Sequence, residues 1–293
     1  MSSVVLEVLR RSPDPAIQRL VGVQAADVTR SPRVLTLLQF PTAVHPYKKW
    51  WGTHWRLVAL SDLGMTAGAP ALQPGVDQEL DWLTSAAHRT SIQSVNGLVR
   101  RCASQEGNAV YAASRLGWER DPRVRQLVDS LLDWQWPDGG WNCDVNASGG
   151  RSSFHETVTP ALGLAAFHRL TGDREALSAA HRSAELLLQH KLYRSRRSGE
   201  IVHPSWVQLH YPAYWHYDVL QGLRLLQALG RLGDPRAGEA LGRVEASRRP
   251  NGFFSGPAWQ SKTQPDAVSW GKGAANEVLN FLTESVLHAA GRS

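Results

Sequence analysis

Four clusters of ionisable and aromatic side chains could carry chemistry in this sequence. The first is Cys143, Asp144, His155 and Glu156. Thiol, imidazole and carboxylate are the donors that a borderline metal such as zinc takes. Without a metal, His155 or Glu156 could act as a general base. The structural alternative is capping, with Glu156 complementing a helix dipole and Asp144 closing a loop. The second cluster is His210, Tyr211, Tyr214, Trp215, His216, Tyr217 and Asp218, the densest such run in the chain. On a helix Tyr214 and Asp218 stand i,i+4 on one face, while His216 and Asp218 diverge. The rings could cradle an apolar molecule or stabilise a cation. Asp218 would then be acid, base or orienter, with His216 assisting. A satisfied network of tyrosine hydroxyls between helices is the alternative.

The third cluster is Lys48, Trp50, Trp51, His54, Trp55 and Arg56. In a continuous helix His54 shares a face with Trp50 and Trp51, and Arg56 or Lys48 could hold an anionic group. An aromatic seam between packed helices would use the same residues. The fourth comprises Cys102, Gln105, Glu106, Asn108 and Tyr111, with Trp259, Trp270, Asn276, Glu277 and Asn280 near the other end. These are candidates for cavity lining without an assigned role. A metal would draw on Cys143, Asp144, His155 and His210, whose spacing matches no short metal motif, so only folding could assemble them. The expectation is a site without a cofactor, with a divalent metal as the alternative. No Gly-x-x-x-x-Gly-Lys-Ser/Thr, Gly-x-Gly-x-x-Gly or Gly-x-Ser-x-Gly segment occurs, which removes the common nucleotide and serine-esterase designs.

The elements that must position these groups are helices. Asp62-Leu63-Gly64, Arg115-Leu116-Gly117, Arg169-Leu170-Thr171-Gly172 and Arg231-Leu232-Gly233 each end an apolar, helix-like segment. A second amphipathic segment and a loop usually follow, the pattern of stacked helical hairpins. The periodicity predicts helices over 15–23, 32–40, 47–63, 76–88, 102–116, 122–136, 154–170, 174–190, 214–232, 235–248 and 273–290. The first helix of each hairpin is the more apolar, so an inner layer and a water-facing outer layer are expected. The chain has 293 residues, a net charge of +6, and twelve Trp against six Tyr and six Phe. Trp carries an N–H donor and is rarely fully buried, which fits cavity walls or pegs between helices. Two cysteines cannot build a disulfide framework. No secretory leader and no apolar run of membrane-spanning length is visible, so a cytoplasmic location is expected.

Leu127-x3-Leu131-x2-Trp134-Gln135-Trp136-Pro137-Asp138-Gly139-Gly140-Trp141 resembles the QW motif of squalene cyclases and their relatives. Pro250-Asn251-Gly252-Phe253-Phe254 resembles a degenerate copy. The resemblance, over about residues 47–290, implies an all-α fold: the α/α toroid of terpenoid cyclases and prenyltransferases, with five to six hairpins and residues 1–46 packed on the ring. It implies an isoprenoid or otherwise largely apolar substrate and cyclisation, isomerisation or elimination. Asp218, His155, Glu156, His216 and His54 are the expected acid–base residues. Trp51, Trp55, Tyr111, Trp141, Tyr214 and Trp215 are the expected walls, with Arg56 on an anionic group. The Asp-x-Asp-Asp acid of the cyclases is absent, and Cys143-Asp144 stands in place of the prenyltransferase Asp-x-Cys. Two other readings compete. A basic helical array could bind nucleic acid or an acidic partner through Arg194, Arg196 and Arg197. A carbohydrate-active toroid could use Glu156 and Asp218 as its carboxylate pair.

Overall fold

Helix starts in this chain are written as a capping residue followed by proline. Asp14-Pro15, Ser31-Pro32, Asp121-Pro122 and Asp234-Pro235 each open a helical segment, and in each the side-chain oxygen accepts a backbone N–H of the first turn. The cap satisfies an orphan donor, and proline at the first helical position loses nothing because its missing N–H would have had no partner. The structure, a computed structural model, describes residues 4–146, 148–259 and 266–292. The fold is all-α apart from one small hairpin.

The helices are α1 (Val4–Arg10), α2 (Pro15–Leu20), α3 (Pro32–Leu37), α4 (Thr53–Asp62), α5 (Gln73–Thr84), α6 (Ala86–Thr90), α7 (Ser104–Ala113), α8 (Pro122–Trp134), α9 (Phe154–Thr171), α10 (Arg174–Gln189), α11 (Val219–Ala228), α12 (Gly238–Ala246) and α13 (Glu277–Ala289). Among the described residues, α4 packs on α7, α7 on α9, α9 on α11 and α11 on α13. Helix α13 meets α1 and α2, and α3 meets α4. Arg33 on α3 donates to Glu277 on α13 at 2.9 Å. A second set lies outside: α5 against α4, α8 against α7, α10 against α9 and α12 against α11. The division follows composition. All of Glu156 to Phe167 on α9 is buried. Helix α8 buries only the stripe of Val124, Leu127, Val128 and Leu131 with Ser130, as an amphipathic helix with a wet face should.

The α7–α9 crossing is the tightest contact in the inner layer. A Cβ on Gly107 would stand 2.4 Å from the Pro160 nitrogen, and one on Gly163 would stand 2.5 Å from the Gly107 carbonyl oxygen. Only glycine lets two backbones approach so closely. Gln135 ties an outer helix to the next hairpin: its Nε2 donates to the Gly139 and Ala179 carbonyls at 2.9 and 3.0 Å. Trp141 folds back over the turn, its Nε1 donating to the Leu131 carbonyl at 3.0 Å. Trp141 is a core peg, 1% exposed, and not the cavity wall expected of it.

Two helices differ from expectation in ways that matter for the site. The 47–63 helix begins only at Thr53. A Cβ on Gly52 would lie 2.2 Å from the Pro46 carbonyl oxygen, because the chain doubles back there, and Pro46 accepts the His54 N–H. Trp50 and Trp51 therefore precede the helix and do not share a helical face with His54. The 214–232 helix begins at Val219, with Asp218 as its N-cap, so Tyr214 and Asp218 are not an i,i+4 pair. Helix α1 and the hairpin Gln93–Val95/Leu98–Arg100 were not expected. The hairpin turns on Asn96-Gly97, with φ of 53° and 74°, the combination that a tight two-residue turn demands. No helix among the described residues is long and apolar enough to cross a membrane.

Candidate functional site

Helices α4, α7, α9 and α11 border a cavity. The space between atoms is about 690 Å³ counting its open mouth, and only a small part of it is enclosed. The enclosed part has room for a few waters, and anything larger would occupy the open mouth as well.

One wall is aromatic. Trp50 stacks on Tyr214 with centroids 4.1 Å apart, and Trp55 meets these two rings edge-on at 5.3 and 5.2 Å. The turn from His210 to Asp218 delivers Tyr214 here in the left-handed backbone region, at φ 56°. For a residue bearing a Cβ this region is strained by about 1–3 kcal/mol and persists only where surroundings enforce it. His216 lies between the Trp215 ring at 3.9 Å and the Trp259 ring at 4.1 Å, and Trp259 stacks in turn on His210 at 4.0 Å. Nδ1 of His216 is 3.3 Å from the Ala213 carbonyl oxygen. A carbonyl only accepts, so a proton on Nδ1 leaves Nε2 with a free lone pair. Burial, then repulsion from neighbouring His155, holds His216 down at about 4. It is a neutral base at pH 7.

The opposite end is charged. Asp62 closes α4, Tyr111 comes from α7 and Arg224 from α11. The Tyr111 hydroxyl donates to Asp62 Oδ1 at 2.8 Å. Arg224 Nη2 donates to the same oxygen at 2.9 Å and to the Tyr111 hydroxyl oxygen at 3.0 Å. Its Nη1 holds Gln221 Oε1 at 2.9 Å. Burial and the Asp62 charge push the Tyr111 phenol up. Burial works against the Arg224 charge, but Asp62 outweighs it and the guanidinium is held above its ordinary range.

Five buried polar atoms line this cavity with no hydrogen-bond partner among the described residues. They are Trp55 Nε1, Asn108 Nδ2, Thr159 Oγ1, Tyr214 OH and Gln221 Nε2. A buried unpaired polar group costs about 1–3 kcal/mol, and native interiors satisfy nearly all of them. Five along one cavity are groups that a bound acceptor or water would satisfy. All five can donate.

The other expected site residues are distributed as follows. Asp218 is fully buried and spent on structure. Oδ1 caps α11 by accepting the Gln221 N–H at 3.0 Å, and Oδ2 takes the backbone N–H and Nδ1 of His210, both at 2.9 Å. His155 accepts the Tyr217 N–H on Nδ1 at 2.8 Å, and burial lowers it to about 4. His54 is buried against Glu79, its Nδ1 2.6 Å from Oε1. Arg56 donates to the Trp51, Thr36 and Leu37 carbonyls, so it braces backbone instead of meeting the cavity. Trp51 serves as one of its acceptors. Trp215, itself partly buried, stacks on His216 and packs against the Trp50, Trp55 and Tyr214 cluster.

Glu156 belongs to a separate group. Its Oε1 stands 3.8 Å from Cys143 Sγ, and Oε2 accepts the Ser104 N–H at 2.9 Å. Cys102 joins them, and the three ligand atoms lie within 4.8 Å of one another. Burial pushes the Glu156 carboxyl up. The thiol–thiol contact couples the two groups, pushing Cys143 down and Cys102 up. Asp144 is exposed and occupied with Asn146. Asp144, His155 and His210 are thus not gathered with Cys143. In the basic run Arg194 is paired with Glu239, and Arg196 donates to the neutral Gln189 side chain.

Asp62, Arg224, Gln221 and Thr159 escaped the sequence reading. Their signal was a lone polar or charged residue on the apolar face of an inner helix. No protein-family model matches this chain, and no curated protein matches it at a significant level.

Proposed function

We propose that the chain is an enzyme that takes a largely apolar small molecule into this cavity and rearranges it by proton transfer. The carrying observation is the convergence of the five unpartnered polar atoms with the Trp50–Trp55–Tyr214 wall. Apolar area on the wall binds the body of the ligand, and the donors orient an oxygen-bearing group. In this reading His216 Nε2 removes a proton and the oriented donors stabilise the charge that develops on oxygen. The ring faces of Trp50 and Tyr214 would stabilise positive charge on carbon. Isomerisation, elimination or cyclisation of an isoprenoid-like substrate fits these parts.

The same proposal takes the helices as a closed α/α toroid of the squalene cyclase and prenyltransferase kind. Support comes from the order of contacts, α4 to α7, α9, α11 and α13, returning through α2, the short turn Val28–Arg30 and α3 to α4. The Gln135 and Trp141 contacts supply the stitching that the QW-like motif implies.

The test is a fluorescence titration of the intact protein with geraniol, farnesol and their diphosphates, since Trp50 and Trp55 report on the wall. Saturable quenching that is lost in Ala267→Trp, which fills the cavity from a half-exposed lining position, supports the reading. Equal quenching in both proteins contradicts it.

A further inference from the structure

Cys102, Cys143 and Glu156 meet outside the cavity lining and play no part in the chemistry proposed above. They come from three places that the fold brings together. Cys102 precedes α7, Cys143 follows the Gly139-Gly140-Trp141 turn, and Glu156 sits in the first turn of α9. Each is held. Trp141 is pinned to Leu131 just before Cys143. Glu156 is fixed by the Ser104 N–H on Oε2, which leaves Oε1 turned toward Cys143.

We infer that Cys102, Cys143 and Glu156 bind a zinc-like divalent ion through two thiolates and one carboxylate oxygen, with a fourth position open. Tetrahedral zinc with bonds of about 2.3 Å to sulfur and about 2.0 Å to oxygen sets sulfur and oxygen ligands about 3.5 Å apart and two sulfurs about 3.8 Å apart. The observed Cys143–Glu156 separation is 3.8 Å, and all three atoms lie within 4.8 Å. Only small side-chain movements separate this geometry from a coordinated one. Two thiolates select a borderline or soft ion over magnesium or calcium. Binding releases the two thiol protons and the Glu156 proton, if present, to solvent. The Ser104 N–H on the second carboxylate oxygen is the outer-shell contact that orients a ligating carboxylate. Three protein ligands with a vacant fourth place are the pattern of reactive zinc, not of a closed structural site. Both thiols are only half-buried, so a water or substrate atom can reach that place.

The test uses the full-length protein, purified with a thiol reductant, stripped with chelator and titrated with Co²⁺. One equivalent should bind and produce a sulfur-to-cobalt charge-transfer band in the near ultraviolet, with visible bands of four-coordinate intensity. Zn²⁺ should displace the cobalt stoichiometrically. Cys143→Ser and Cys102→Ser should each abolish the charge-transfer band or sharply weaken it, and Glu156→Gln should lower affinity about 10- to 100-fold while keeping the band. Circular dichroism of each variant checks the fold, and the wild-type spectrum alone decides the case if a variant does not fold. Absence of a charge-transfer band in reduced wild-type protein overturns the inference. So does a Cys102–Cys143 disulfide that resists the reductant. None of these readouts depends on a substrate, so the metal site and the proposed reaction stand or fall separately.

Discussion

Replacing Arg224 by Met should destabilise the protein by about 3–5 kcal/mol. Arg224 and Asp62 side chains are 13% and 6% exposed, so the pair belongs to the buried regime, where solvent does little screening. With charge centres about 4 Å apart and an effective dielectric of about 20, their attraction is about 4 kcal/mol. Arg224→Met removes that and leaves a buried carboxylate bonded to neutral tyrosine hydroxyls, Tyr111 at 2.8 Å and Tyr211 among them. Asp62→Leu leaves the guanidinium bonded only to Tyr111 and Gln221 and should cost a similar amount. The double variant buries no unpaired charge, and Met and Leu fill comparable volume. It should therefore lose no more than about 2 kcal/mol, a coupling of several kcal/mol between the sites. Urea unfolding followed by far-ultraviolet circular dichroism measures all four proteins, with free energies taken from the midpoint and slope. If the two single losses simply add in the double variant, the pair does not tie α4 to α11, and the description of the cavity floor is wrong.

Three further outcomes follow from the geometry. Gly163→Val should cost more than about 3 kcal/mol, above the usual range for overpacking, because the clash is with the Gly107 backbone carbonyl; thermal unfolding reads it. Asp218→Ala removes the α11 cap and both His210 contacts and should lower stability by about 2–4 kcal/mol, whereas Asp218→Asn, which still caps, should lose less in the same denaturation assay. His216 is held at about 4 in the folded protein against 6.5 for the free side chain. The unfolded chain therefore binds the proton first, and the contribution of neutral His216 is fully present above about pH 6.5 and is lost as the pH falls toward 4. The shift would be worth about 3 kcal/mol if fully buried, and discounting for partial solvent access leaves about 1–2 kcal/mol. His216→Gln should flatten the stability profile by that amount between pH 6.5 and 4.

Local signals carried much of the helical layout. Ser31-Pro32 and Asp121-Pro122 marked helix starts directly, and the alternation of apolar and amphipathic segments marked α9 and α10 as inner and outer. Where the expectation slipped, a long-range steric fact intervened. Nothing local to Gly52 says that Pro46 will press on it, so α4 was placed too early. Asp218 before Val219-Leu220 was a readable cap, but the aromatic run upstream masked it by looking helical. Asn96-Gly97 is a readable hairpin turn, its positive φ values being those the dipeptide favours. The candidate site was legible by type more than by partner. Tyr214, His216, Trp55 and Tyr111 were named from the sequence and meet at the cavity. Asp62 and Arg224, 162 residues apart, recognise each other only in the folded chain. The cysteine group shows the same limit, since Cys143 and Glu156 lie thirteen residues apart in sequence whereas Cys102 reaches them only in the folded chain.

The most direct test of the cavity's role is native mass spectrometry of the freshly purified protein, repeated after exposure to geraniol, farnesol and their diphosphates. The account predicts one bound molecule per chain, released on denaturation and absent from Ala267→Trp. A protein that emerges bare, and binds none of these compounds or binds them equally well with the cavity filled, would contradict it.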